Sequence, residues 1–157
     1  MDKNYWETRE QELETIELAF AVMSGKVSNA INRIMTKQLR NAGIDMTPEQ
    51  WLILTCLWRK VEGENPTQNM IAKATFKDRP SVTRLLRNLE RQDLIYRTEK
   101  ADDKRANYVM LTEKGKKLEA EVNKVTAKAL EYIFYDFTEE EIEKSIELLG
   151  RVFANLQ

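Results

Sequence analysis

The sequence contains no histidine, one cysteine, five glycines and three prolines among 157 residues. Without histidine there is no Ser-His or Cys-His nucleophile pair, no histidine metal ligand and no histidine pH switch. A single cysteine, Cys56, forms neither an intrachain disulfide nor a Cys-rich zinc site, which fits a reducing compartment. So few glycines and prolines leave few turns, which argues against sandwiches and barrels and favours long helices. The longest apolar stretch, Trp51 to Trp58, is eight residues and includes Thr55. A membrane span needs about 20. The segment Met1 to Arg9 is polar and acidic, unlike a signal peptide. These absences predict a soluble, cytoplasmic protein with no catalytic activity, no cofactor, no metal and no membrane association.

What is present points to a globular domain. Apolar residues make up 42% and charged residues 32%, the latter above the usual ~25%. The length suits one domain, 1–157. The net charge is −1, but the charge is unevenly placed. Lys73 to Arg105 holds ten basic and six acidic residues, whereas Glu131 to Glu147 holds seven acidic residues and one lysine. Met1 to Phe20 holds six acidic and two basic. A positive middle between negative ends suggests one surface for a polyanion and others facing away from it.

Apolar residues at helical spacing from about Glu7 to Asn41 predict a long helix, which Ser24-Gly25 is placed to kink or interrupt and Gly43 to end. Thr47, Pro48 and Gln50 form a capping box for a second helix, apolar nearly all round from Trp51 to Val61 and therefore expected to be buried. Thr67 caps a short helix, Gln68 to Ala74, with Ile71 and Ala72 inward. Asp78 caps another, with Pro80 in its first turn and a stripe of Val82, Leu85, Leu86 and Leu89. Leu94 to Thr98 and Tyr108 to Leu111 read as a hairpin with a polar tip, Glu99 to Asn107. Thr112 starts a helix to about Tyr135. Thr138 and Glu141 start the last, with an apolar stripe of Ile142, Ile146, Leu149, Val152 or Phe153, and Leu156.

Ala72, Val82 and Leu85 lie at +0, +10 and +13, the spacing of a DNA-binding helix-turn-helix, whose second helix enters a major groove about 12 Å wide. The outer face of that helix holds Arg79, Pro80, Thr83, Arg84, Arg87, Asn88 and Arg91. Arginine is suited to bidentate contact with guanine edges or phosphates. A solvated face that merely carries arginines is the blander reading; four of them beside only Glu90 argue against it. The hairpin tip carries Lys104 and Arg105, and an extended arginine fits a minor groove of about 6 Å. Asp103 has the wrong sign for phosphate, so it is expected to orient Arg105 or a turn amide.

The segments Met46-Thr47-Pro48-Glu49-Gln50-Trp51, Ser81-Val82-Thr83-Arg84-Leu85-Leu86, Leu89-Glu90-Arg91-Gln92-Asp93-Leu94-Ile95 and Asp103-Lys104-Arg105-Ala106 through Leu111-Thr112-Glu113-Lys114-Gly115 resemble the multiple-antibiotic-resistance regulator (MarR) family of bacterial transcription factors. The resemblance covers about Thr47 to Leu118 in motif detail. It implies a mainly α fold with a small β-hairpin wing: a winged helix-turn-helix over 47–112, flanked by dimerisation helices over 7–41 and 116–157. It also implies a homodimer on a pseudo-palindromic operator in double-stranded DNA, usually as a repressor, released by a small aromatic or phenolic effector. Ser81, Thr83 and Arg84 match recognition-helix contact positions, and Asp103 and Arg105 match the wing. The chain departs from the pattern at Phe76, where a glycine is common, at Lys77, where an aliphatic residue is common, and at Pro80, where a small polar residue is common.

The apolar stripes of the end helices exceed what a small winged domain can cover, so a second copy is the expected partner. Cys56 sits among apolar neighbours with no basic residue on the preceding turn, so it is expected to be structural rather than a redox sensor. Trp51 and Trp58 are expected to serve the core before any effector pocket. The alternative to a DNA-binding regulator is a winged-helix protein that binds a protein or a small molecule without touching DNA, which the overall acidity favours.

Overall fold

The computed structural model describes residues 3–100 and 103–156, with side chains described for 16–99 and 107–156. A 39-residue helix, α1 (Lys3–Asn41), is followed by α2 (Pro48–Trp58), α3 (Gln68–Ala74) and α4 (Arg79–Arg91). An antiparallel hairpin, β1 (Ile95–Lys100) and β2 (Asp103–Leu111), leads to α5 (Glu113–Ile133) and α6 (Glu139–Ala154).

The helix starts follow from local chemistry. Thr47, Thr67, Asp78, Thr112 and Thr138 each sit in extended backbone and accept a hydrogen bond from the N–H three residues on, which satisfies an otherwise unpartnered helix donor. The ends are less obvious. Helix α1 stops in a Schellman turn, with Gly43 N–H on the Arg40 carbonyl and Ile44 N–H on the Leu39 carbonyl, both 2.9 Å. Gly43 has φ +79. The same turn closes α2, α3 and α4, where the left-handed residue is Lys60, Phe76 or Asp93, with φ of 50, 51 and 58.

The core gathers Leu39 of α1, Ile53 and Leu54 of α2, Ile71 and Ala72 of α3, the inner stripe of α4, Ile95 and Val109 of the hairpin, and Val122 of α5. The hairpin is held from below, where Val109 N–H donates to the Pro66 carbonyl at 2.9 Å and Thr67 bridges to Tyr108. Helix α5 can start where it does because residue 115 is glycine. A Cβ there would lie 2.0 Å from the Leu94 carbonyl oxygen. The Gly115 carbonyl accepts from the Trp58 indole at 3.0 Å, so Trp58 joins the core as expected.

Four sequence expectations need correction. Helix α1 begins before Glu7 and runs through Ser24-Gly25 without a break. One glycine costs a helix only about 1 kcal/mol, too little to end one of this length. Helix α2 is buried on one side only, because α1, α3 and α4 cover only that side. Ile53, Leu54 and Leu57 are inside, whereas Leu52 and Val61 are exposed. The strands continue into the segment expected to be a polar tip, with Glu99 paired to Asn107 and Lys100 to Asp103 across a register shift. The main-chain ladder does not depend on side-chain polarity. Helix α5 ends at Ile133, not Tyr135.

Candidate nucleic-acid interface

Helix α4 is positioned from within. Val82, Leu86 and Leu89 are 0% exposed and Leu85 is buried; each such side chain contributes about 1.5–3 kcal/mol on burial. With four consecutive stripe positions locked, the rotation of the helix is fixed, and so is the face it turns outward. Its N-terminus is set by Asp78, whose Oδ1 accepts the Ser81 N–H at 2.7 Å and whose Oδ2 accepts the Ser81 hydroxyl at 2.8 Å. These bonds hold the Asp78 carboxyl below its ordinary value. Its C-terminus is tied to α2 and to the start of α5. Thr112 Oγ1 donates to the Asp93 carbonyl at 2.7 Å, Lys114 Nζ donates to the Gln92 carbonyl at 2.6 Å, and buried Gln50 reaches the Gln92 side chain at 3.4 Å.

The outer face carries exposed Arg79, Pro80, Arg84, Arg87 and Arg91, with half-buried Ser81, Thr83 and Asn88 between them. Thr83, Arg84 and Arg87 line a shallow hollow of about 690 Å³ together with Pro80, Asn88, Glu90 and Arg91. Arg91 is held by the Asn88 side-chain oxygen. Glu90, the only carboxylate on this stretch of helix, turns aside to Arg97 of β1 at 3.0 Å. Among the described residues no carboxylate lies within ion-pair distance of Arg79, Arg84 or Arg87. Among the described residues the face is therefore mainly cationic, with the Glu49 carboxylate of α2 near enough to feel the Arg84 charge without pairing with it. Arg97, counted with the cations of the middle segment, is neutralised by Glu90 and takes no part in it.

The structure sorts the predicted contact residues. Arg79, Arg84 and Arg87 present unengaged guanidinium groups among the described residues. The Ser81 hydroxyl donates to the capping Asp78 carboxylate at 2.8 Å, and the Thr83 hydroxyl donates to the Arg79 carbonyl at 2.8 Å. Asp103, Lys104 and Arg105 lie at the start of β2, and their side chains fall outside the described residues. Gln68, at the first position of α3, went unnoticed in the sequence. Its Nε2 donates to Thr83 Oγ1 at 2.6 Å. Nothing in a single sequence signals a pairing between residues 15 apart on different helices.

Cys56 is half-buried, and burial followed by the nearby Glu62 carboxylate raises its pKa, opposite to what a reactive thiolate requires. Among the described residues no group of His, Cys, Asp or Glu is arranged to hold a metal ion, and no helix is long and apolar enough to cross a membrane.

A short helix, a tight turn, a second helix with one locked and one cationic face, and an antiparallel hairpin define a winged helix-turn-helix protein. The MarR family model matches residues 46–106. MepR of Staphylococcus aureus in complex with DNA shares 32% identity over 88% of this chain and 98% of that one, with a TM-score of 0.76. MepR in a DNA-binding conformation shares 31% over the same fractions, with a TM-score of 0.75. Another structure of MepR, a transcription regulator of the multidrug efflux pump MepA, shares 30% over the same fractions and aligns at 0.62. The chain belongs to the MarR family and is a DNA-binding transcriptional regulator.

Proposed function

We propose that the chain is a repressor that grips a pseudo-palindromic operator as a homodimer and leaves it when a small aromatic or phenolic effector binds. One observation carries the reading: the exposed face of α4 holds Arg79, Arg84, Arg87 and Arg91, with no ion pair to Arg79, Arg84 or Arg87 among the described residues, on a helix whose other face is buried. Such a face contributes electrostatic attraction to phosphates and bidentate donors to base edges. Ser81 and Thr83 stand on the same helix, and Lys104, Arg105 and the orienting Asp103 belong to the wing, which on this reading follows the adjacent minor groove. The TM-scores lend support, since the chain lies nearer to MepR in its DNA-bound and DNA-binding forms than to the third MepR structure.

The winged unit is 47–112, and 7–41 with 116–157 form the dimer. Exposed Ile16, Phe20, Met23 and Val27 of α1 and Ile146, Leu149, Val152 and Phe153 of α6 supply its apolar contact. Two-fold symmetry then sets the recognition helices about 34 Å apart, in successive major grooves. The action is binding, without a catalytic step, and its place is the cytoplasm, with the chromosome.

Selection of bound duplexes from a random pool, followed by affinity measurement against salt, tests this. The expected log–log slope is steep, about 0.9 per phosphate neutralised. Arg84→Ala is expected to cost about 1–3 kcal/mol of binding if it reads a base. Undiminished affinity in Arg84→Ala and Arg105→Ala would remove those contact assignments. No specific retention by an intact dimer at low salt would favour a winged domain that binds proteins or small molecules instead.

A further inference from the structure

Thr83 lies on the open face of α4 between the arginines and lines its hollow. A threonine there brings two chemistries to a groove, a hydroxyl that donates and accepts and a methyl group that does neither. In this chain the hydroxyl is occupied. It donates its only proton to the Arg79 carbonyl at 2.8 Å. It accepts from Gln68 Nε2 at 2.6 Å, and the same amide nitrogen reaches the Arg79 carbonyl at 3.4 Å. No proton is left to offer a guanine or thymine oxygen, and freeing it breaks a bond inside the protein. Donors are in any case abundant alongside, in Arg79, Arg84 and Arg87. What Thr83 has left to present is its methyl group and one acceptor lone pair, which no guanine or thymine carbonyl oxygen can use.

We propose that Thr83 is an apolar specificity residue whose methyl group reads the C5-methyl of one thymine in each half-site, and that Gln68 of α3 is the positioning residue that keeps its hydroxyl turned away. Thymine is the one base that shows a methyl group in the major groove. This inference rests on the DNA-binding reading above and adds to it a base identity and a residue outside the recognition helix.

The experiment uses the operator selected by the wild-type dimer, with each thymine replaced in turn by deoxyuridine, which removes only the methyl group. One position per half-site is expected to lose about fourfold in affinity, the worth of one buried methyl. Thr83→Val keeps the methyl group and is expected to retain the thymine-to-deoxyuridine ratio. Thr83→Ser keeps the hydroxyl and is expected to bind both operators alike. Gln68→Ala releases the hydroxyl and is expected to shrink the ratio, and adding Thr83→Val to it is expected to restore the ratio, since no hydroxyl then needs holding. A purely structural role for Gln68 predicts no such rescue. If Thr83→Val loses discrimination and Thr83→Ser keeps it, the hydroxyl is the reader and the inference is overturned. Specific binding with no methyl-sensitive thymine, or to half-sites lacking thymine, overturns the inference alone. Retention of no duplex by the wild type overturns the DNA-binding reading and the inference with it.

Discussion

Helices α4 and α6 are built from the same local instructions and meet opposite fates. Each starts at a side-chain cap, Asp78 or Thr138, and each carries an apolar stripe at helical spacing. In α4 the stripe is wholly buried. In α6 nothing is buried: Ile146 is 64% exposed, Leu149 52% and Val152 40%. A stripe states that a helix will be covered, but not by what. For α4 the cover is the rest of the winged unit. For α6 a single chain supplies little, and the proposed second copy supplies the remainder.

The largest expected effect tests that contrast directly. Leu86→Ala removes a fully buried side chain and is expected to lower unfolding free energy by about 2–5 kcal/mol at any protein concentration. Leu149→Asp in α6 is expected to leave helix content intact while sedimentation shifts from dimer to monomer. An unchanged dimer mass in that variant would break the contrast, because α6 would then be a solvated helix.

Next in size is the close approach that seats α5 against the end of α4. Gly115→Ala puts a Cβ 2.0 Å from a main-chain carbonyl oxygen, which no side-chain rotation relieves. Overpacking of this kind costs about 1–3 kcal/mol, read in urea unfolding. A neutral Gly115→Ala would show that the start of α5 shifts freely, so that α4 is less rigidly set than its buried stripe suggests.

The two caps give a smaller, pH-dependent effect. Bonds from Ser81 hold the Asp78 carboxyl below 3.8, and bonds from Thr138 hold the Glu141 carboxyl below 4.5. In each case the unfolded chain binds the proton more tightly. The stabilisation is therefore present above the ordinary value and is lost as pH falls through the lower folded one. Both caps are expected to weaken on acidification. Tm against pH for wild type, Glu141→Gln and Asp78→Asn checks this. Asparagine still caps, so Asp78→Asn should flatten the dependence below about pH 4 while leaving α4 formed.

These cases also mark what the sequence alone made legible. Helix starts were readable because a cap and its N–H partner lie three residues apart, as at Thr47, Asp78 and Thr138. The inner stripe of α4 and the spacing of Ala72, Val82 and Leu85 were readable for the same reason: they are periodic. Helix ends at Lys60 and Phe76 were less so, because packing of the next segment imposes a left-handed residue that the side chain itself disfavours. Pairings across elements, Glu90 with Arg97 and Gln68 with Thr83, leave no pattern in the chain at all. They nevertheless decide which cations and which hydroxyl the outer face has to offer.

The smallest effect concerns the point where α6 meets the helix-turn-helix. Phe76 occupies the turn with φ 51, where a glycine is unstrained, and its ring meets Phe153 of α6 edge to face with centroids 5.4 Å apart. Left-handed backbone costs such a residue about 1–2 kcal/mol, and an aromatic pair returns about 0.5–1.5 kcal/mol. Phe76→Gly removes both terms, so unfolding free energy is expected to change by between about −0.5 and +1.5 kcal/mol. The near-cancellation hides the pair from a single substitution. A double-mutant cycle with Phe153→Ala separates it, with an expected coupling of about 0.5–1.5 kcal/mol. That coupling links the turn of the reading unit to the helix whose stripe is offered to a partner. If the cycle closes with no coupling, α4 and α6 are held independently, and a change in the dimer helices has to reach the reading helix through α1 and α5 instead.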